Sequence, residues 1–119
     1  MKLRGWDNLH HMVHTCYELF EIMQDLNSVE EFVSDVKTRR AVTMCLLDLG
    51  ELFKNLSDDE RGEYPSENWQ HLIGFRNRAS HGYHQLDFKV VYSIAVNRVP
   101  PLYEFLKKKQ QEQEDDGLV

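Results

Sequence analysis

Residues 35–56 carry the most regular hydrophobic pattern in this 119-residue chain and read DVKTRRAVTMCLLDLGELFKNL. Apolar side chains recur there at intervals of three and four residues: Val42, Cys45, Leu46, Leu49, Leu52, Phe53 and Leu56. This spacing places them on one face of an α-helix. The pattern therefore predicts a long core helix from about Asp35 to Leu56.

Three further segments show helical periodicity. One runs from about Asp7 to Leu26, a second follows a cap at Ser66 or Asn68, and a third follows a cap at Asp87. No stretch alternates apolar and polar residues over several positions, as a half-buried strand would. The sequence therefore predicts an all-α fold, an up-and-down bundle of four main helices with short connector helices.

Local signals predict where the connectors and breaks lie. Serine precedes glutamate by three residues at two places, in the form of a capping box: Ser28 with Glu31, and Ser57 with Glu60. A short helix is expected to begin at each. In the last helix, Pro100 and Pro101 lack backbone N–H groups and clash with carbonyls one turn earlier. They predict a kink or a break near Val96 to Asn97.

The length suits one domain, and we expect it to span residues 1–109. Residues 110–119 are polar with little to bury, which predicts a disordered C-terminal tail. No apolar run approaches the ~20 residues of a membrane span, and no signal-peptide core is present. We therefore expect a cytoplasmic protein without a membrane partner. Cys16 and Cys45 lie on apolar stripes, which predicts two reduced core thiols.

The net charge is −6 and the sequence pI is about 5.4. Such a balance argues against a broad basic surface for nucleic acid. Basic side chains are nevertheless concentrated locally, in one cluster formed by Lys37, Arg39 and Arg40 and in another formed by Arg76 and Arg78. Any nucleic-acid activity is therefore expected to be local.

The candidate catalytic side chains lie in residues 74–83, which read GFRNRASHGY. Arg76 lies on the helix and His81 just beyond it, where a turn through Gly82 could bring the imidazole back toward the guanidinium. Arginine matches phosphate oxygens with a planar fork, and histidine exchanges protons near neutral pH. Together they suffice for metal-free RNA cleavage through the 2′-hydroxyl, which DNA lacks. The residues alone also fit a surface cation and a helix cap.

No cofactor or metal site is expected. His10, His14 and Glu18 follow one another at helical spacing, but no fourth ligand accompanies them at a spacing that suits zinc. The sequence also lacks a glycine-rich phosphate loop, a nucleophile elbow and a paired-cysteine motif.

The pattern of arginine, four residues, histidine, one residue and tyrosine resembles the signature of the HepT-like family of HEPN domains. The asparagine after the arginine agrees with it. Further similar blocks occur in the family's order between about residues 7 and 108: Lys37 to Val42, Leu49 to Glu51, and Tyr64-Pro65 with Trp69.

This resemblance implies a helical bundle that forms a homodimer in which two copies of the motif face one cleft. It implies a metal-independent ribonuclease that acts as the toxin of a toxin–antitoxin module. Arg76 would bind phosphate, Asn77 would assist, and His81 would be the acid or base. The implied partner is a minimal nucleotidyltransferase of the MntA type, which neutralises such toxins, in some cases by transferring AMP to the motif tyrosine, here Tyr83.

One position departs from the family pattern, because Arg78 stands where an apolar residue is usual. Either Arg78 adds a phosphate contact, or packing around the motif is looser and activity is reduced. We also consider the hypothesis that Lys37 and Arg40 extend the RNA-binding surface. The alternative function is a non-catalytic helical subunit that docks a nucleotidyltransferase and presents a substrate to it.

Overall fold

The computed structural model describes the backbone of residues 2–115 and the side chains of residues 8–115. Seven α-helices follow one another: α1 (Lys2–Met23), α2 (Val29–Ser34), α3 (Val36–Lys54), α4 (Asp58–Gly62), α5 (Ser66–Ala79), α6 (Phe88–Asn97) and α7 (Val99–Asp115). A 3-10 turn, Tyr83–Gln85, connects α5 to α6. These residues include no strand, which confirms the all-α prediction. None of the described helices is both long enough and apolar enough to cross a bilayer.

Helix α3 is the central element, and it packs against α1, α2, α5 and α6. Most of its predicted apolar face is buried, as are matching faces of α1, α5, α6 and α7. The helix begins where Asp35 caps it, because the carboxylate accepts a 3.2 Å hydrogen bond from the Thr38 amide. The Thr38 hydroxyl also donates to this carboxylate at 2.8 Å. Both bonds favour the ionised form and lower the pKa of Asp35.

Helices α3 and α5 lie very close together at Gly50. A Cβ atom at this position would lie 2.5 Å from the Leu72 carbonyl oxygen and 2.9 Å from the Arg76 Cβ. Both distances are shorter than van der Waals contact, so only glycine fits here without a shift of α5. Gly50 therefore sets the separation at which α3 meets the helix that carries Arg76.

The two serine caps differ in detail. Ser57 and Glu60 form the complete capping box that the sequence predicts, with hydrogen bonds of 3.1 Å in both directions. Ser28 caps α2 through the Glu31 amide at 3.2 Å. The Glu31 carboxylate, however, accepts from the Asn27 amide at 2.8 Å, one residue earlier than a capping box requires. The prediction of a short helix at each place is confirmed.

The predicted cap of α5 was wrong. Pro65 is the N-cap residue and supplies no side-chain hydrogen bond, while Ser66 is already the first helical residue. The Pro65 carbonyl accepts from the Asn68 amide at 2.9 Å, so the first turn closes one residue earlier than a cap at Ser66 would allow. Asn68 is buried within that turn.

The predicted break near the paired prolines is confirmed, since α6 ends at Asn97 and α7 begins at Val99. Both prolines fall in the first turn of α7, where the missing N–H groups have no helical partner in any case. Helix α7 then continues to Asp115, so the first six residues of the predicted tail are helical. Gln110 is buried and its amide nitrogen lies 2.9 Å from Nδ1 of His10. The rest of that tail, 116–119, lies outside the described residues.

Candidate functional site

The motif residues lie at the C-terminal end of α5. Beyond Ala79, the His81 amide donates to the Arg78 carbonyl at 3.1 Å, and the Gly82 amide donates to the Ala79 carbonyl at 3.0 Å. Gly82 has a φ of +132°, a backbone conformation that residues other than glycine rarely adopt. This glycine ends the helical path as predicted. It leaves His81 exposed at the surface of the bundle.

Arg76 is held by a carboxylate on the neighbouring helix. Its Nε donates to Oε2 of Glu51 at 2.7 Å, and its Nη1 donates to Oδ1 of Asn77 at 3.4 Å. The side chain is 30% exposed, and Nη2 has no hydrogen bond to any residue that the structure describes. The guanidinium is thus oriented by Glu51 while one edge stays open to a phosphate.

Sequence reasoning did not identify Glu51 as the partner of Arg76. The two residues are separated by 25 positions, and their pairing depends on how α5 crosses α3. A signal was present in the sequence, because Glu51 follows the one glycine on the core helix. Gly50 permits the close approach that brings Arg76 within reach of this carboxylate.

The structure groups His81 with Arg78 rather than with Arg76. His81 and Arg78 both line a cavity of about 450 Å³ between the end of α5, the 3-10 turn and α6. Among the described residues, no hydrogen bond joins His81 to Arg76. His81 lies two residues beyond the end of α5 at Ala79, and the cavity that it lines does not include Arg76. The expected approach of the imidazole to the guanidinium is not seen within one chain.

Arg78 lies along the surface of α5. Its Nη1 lies 3.6 Å from where a Cβ on Gly74 would stand, so the side chain folds back over that glycine. The guanidinium makes no ion pair with a carboxylate in the part of the chain that the structure describes. It is exposed, and its charge is available to an anion near His81.

Tyr83 lies under the guanidinium of Arg40. The Arg40 Cζ is 4.3 Å from the centroid of the tyrosine ring, and the Phe88 ring is 5.0 Å away on centroids. The Tyr83 hydroxyl is buried and has no hydrogen-bond partner within the described chain. In this conformation the predicted modification site is therefore closed to a second protein.

The predicted basic surface divides into separate parts. Lys37 lines a different cavity, formed by the end of α1, α2 and the start of α3. Arg40 packs on Tyr83, and Arg39 donates to the Val33 carbonyl at 2.8 Å. The structure therefore brings Arg78 to His81 but does not bring Lys37 there, and a role of Lys37 or Arg40 in RNA binding stays a prediction.

The histidines of α1 contact side chains of α1, α3 and α7. His14 Nε2 lies 3.8 Å from Oε2 of Glu18 on the exposed surface. Among the described residues, no three histidine, cysteine, aspartate or glutamate side chains are arranged to hold a metal ion. Cys16 and Cys45 are unpaired and buried, as predicted. Burial raises the pKa of Cys16 to about 12 and that of Cys45 to about 11, because a thiolate is poorly solvated in the core.

The chain belongs to the HepT-like ribonuclease family, because the family model described as "Ribonuclease HepT-like" matches residues 12–109. A Methanocaldococcus jannaschii protein named "Putative RNase MJ0127" is 31% identical over 71% of this chain and 74% of its own length. "Probable ribonuclease HepT" of Thermococcus cleftensis is 30% identical over 66% of this chain and 74% of its own length. No solved structure matches the chain.

Proposed function

We propose that this protein is a metal-independent endoribonuclease whose site is formed by Arg76 and His81 of two chains. The proposal rests on the orientation and exposure of these two side chains at the end of α5. The Arg76 guanidinium is oriented by Glu51 with one edge open, and His81 stands exposed beside a cavity. Membership of a ribonuclease family supports the same activity.

The chemistry assigned to each residue follows from its side chain. Arg76 binds the phosphate and stabilises the negative charge that grows on it during cleavage. His81 removes the proton of the 2′-hydroxyl or protonates the leaving oxygen. Asn77, whose amide oxygen faces the guanidinium, helps to hold Arg76. No step in this scheme requires a metal ion.

A homodimer completes the site in this proposal. In-line cleavage needs a base on one side of the phosphorus and an acid on the other, and one chain offers a single motif histidine. A second chain supplies the second histidine. Met44 supports an interface on the outer face of α3, because its side chain is 65% exposed although it is apolar. Arg40 and Glu51 share that face by helical spacing.

Within the cell, we assign the protein the role of toxin in a toxin–antitoxin module, with a minimal nucleotidyltransferase as its antitoxin. AMP on Tyr83 would place a phosphodiester and a nucleotide two residues from His81, where they repel and obstruct RNA. Since the Tyr83 hydroxyl is buried beneath Arg40, transfer requires the 3-10 turn to move outward first. Intact mass after co-expression tests this step, and an unshifted mass would count against it.

The activity is tested with purified protein and single-stranded RNA in the presence of a chelator. We expect the wild type to cleave, while Arg76→Ala and His81→Ala each lower the rate by about 100-fold or more. His71→Ala is the matched control, since His71 is exposed on the same helix and should leave the rate unchanged. If RNA stays intact with the wild type while the nucleotidyltransferase still binds, the protein is a non-catalytic binding subunit instead.

A further inference from the structure

The cavity beside His81 has an apolar interior. Phe75 and Val91 are both 1% exposed and form part of its wall, and Leu86 adds a partly buried side chain. Val90 lies in the same lining and is 45% exposed, which is high for valine on a helix that packs against the core. At about 450 Å³ the cavity falls in the range typical of small-molecule sites. A flat, apolar group would bury surface here.

An arginine and a histidine side chain stand in the same lining. Arg78 makes no ion pair with a described carboxylate, and His81 is the proposed acid or base. A nucleotide whose two flanking phosphates lie against these side chains, one at His81 and the other at Arg78, would have its base next to the apolar wall. Nucleobases stack on imidazole and guanidinium planes as well as on apolar side chains. The neighbourhood therefore suits the base of a nucleotide bound at His81.

The lining also contains polar groups without partners. Asp87 Oδ1 accepts from the Lys89 amide at 3.0 Å and thereby caps α6, but Oδ2 has no hydrogen bond in the described part of the chain. The Gln85 side chain is exposed and likewise has none there. A carboxylate accepts from the exocyclic amino group of a base, whereas uracil presents a carbonyl at the corresponding position.

We propose that this cavity, the base pocket, holds the nucleobase adjacent to the cleaved phosphate, and that Asp87 selects bases with an exocyclic amino group over uracil. The proposal rests on the ribonuclease function above, and it adds a sequence preference to it. Arg78 binds the phosphate that connects this nucleotide to the next. The residue that departs from the family pattern thus becomes part of the substrate site.

Asp87→Asn tests the selection directly. Asparagine still caps α6, so the fold is preserved while the charge is lost. Asp35→Asn is the matched control, because the Asp35 side chain also caps a helix, α3, and does not line the base pocket. The substrates are oligouridines with one adenosine, cytidine or guanosine placed at each position in turn, and the readout is the cleavage rate relative to oligouridine.

For the wild type we expect the rate to rise about tenfold when an amino-bearing base occupies one particular position. Asp87→Asn should reduce this ratio to about twofold or less, and Asp35→Asn should leave it unchanged. A second pair of variants tests the apolar wall. Val90→Glu places a negative charge in the pocket, whereas Val96→Glu places the same charge on α6 outside it. We expect Val90→Glu to weaken RNA binding at least about fivefold more than Val96→Glu does. A ratio that survives in Asp87→Asn, or equal effects of the two glutamates, would overturn the base pocket.

Binding of fluorescent 2′-O-methyl oligonucleotides, which cannot be cleaved through the 2′-hydroxyl, separates the two proposals. Cleavage without any base preference would refute the base pocket and leave the ribonuclease function standing. A base preference in binding that Asp87→Asn abolishes, without cleavage of unmodified RNA, would refute the ribonuclease function alone.

Discussion

Glu51 on α3 accepts a 2.7 Å hydrogen bond from Nε of Arg76 on α5. The carboxylate is 46% exposed and the guanidinium side chain 30% exposed, so the pair stands at the rim of the helix interface. In this position Glu51 cannot bind an RNA phosphate, and its charge repels one. Its contribution is to fix the direction in which the guanidinium points.

We predict that Glu51→Ala lowers kcat by about tenfold while KM stays constant or falls, because Arg76 loses its orientation but the repelling charge is also gone. Glu51→Gln should recover most of kcat, since its amide oxygen still accepts from Nε. Steady-state kinetics on a short RNA separate the two parameters. A rise in KM at constant kcat would mean that Glu51 does not position Arg76.

Stability should change little in these variants, because partly exposed ion pairs contribute about 0–1 kcal/mol. Glu63→Ala provides the control: it removes a 2.6 Å ion pair with Lys109 that lies away from the motif. We expect it to leave both kinetic parameters unchanged.

Gly50→Ala should destabilise the protein and impair cleavage together. A Cβ there would overlap the Leu72 carbonyl oxygen and the Arg76 Cβ. Overpacking of this kind costs about 1–3 kcal/mol, against which alanine regains up to about 1 kcal/mol of helix propensity. Gly62→Ala is the control, since no atom outside its own helical turn and its two chain neighbours lies within 4 Å of the added Cβ. The free energy of unfolding of both variants is measured in urea. If Gly50→Ala is as stable as Gly62→Ala or more stable, α3 and α5 do not approach each other as closely as described.

Tyr83→Phe removes a buried hydroxyl that has no partner in the described chain, so the free energy of unfolding should stay constant or rise by up to about 1 kcal/mol. Tyr17→Phe, at a side chain that is 53% exposed, should have no effect. Cleavage should persist in Tyr83→Phe, because the hydroxyl takes no part in the proposed chemistry. A marked loss of stability would show that the hydroxyl has a partner in solution.

The buried thiols predict how stability depends on pH. Burial raises the pKa of Cys16 to about 12, above its ordinary value of 9.0, so the unfolded chain releases this proton at a lower pH than the folded chain does. The unfolded state then binds fewer protons above pH ~9, and stability falls as pH rises through that range. Cys16→Ala should show a shallower decline of the urea midpoint between pH 8 and 10.5, measured under reducing conditions. Parallel curves would refute the raised pKa.

Local patterns predicted the elements of this fold well. The apolar spacing of α3 was sufficient because every member of that face meets the same core, and Pro100 and Pro101 marked the break between α6 and α7 for steric reasons that need no tertiary context. The C-terminal extent of α7 could not be predicted in this way. Gln110 is held by His10, one hundred residues away, and no local pattern signals such a contact.

The same distinction between local pattern and tertiary packing applies to the functional site. Arg76 and His81 were identifiable as side chains of the right chemistry, and Gly82 as the turn between helix and connector. Their partners were not identifiable, since Glu51 reaches Arg76 only through the crossing of two helices. The buried state of the Tyr83 hydroxyl likewise depends on how the 3-10 turn packs, which sequence spacing does not encode.

In the proposed enzyme, the motif residues of two chains form one ribonuclease site. The most direct measurement is the RNA cleavage rate per chain across a dilution series, with the dimer fraction of each sample determined by analytical ultracentrifugation. We expect the rate to follow the dimer fraction and to vanish in the monomer, and we expect His81→Ala to dimerise normally without cleaving. Full activity in samples that contain only monomer would contradict the two-chain site.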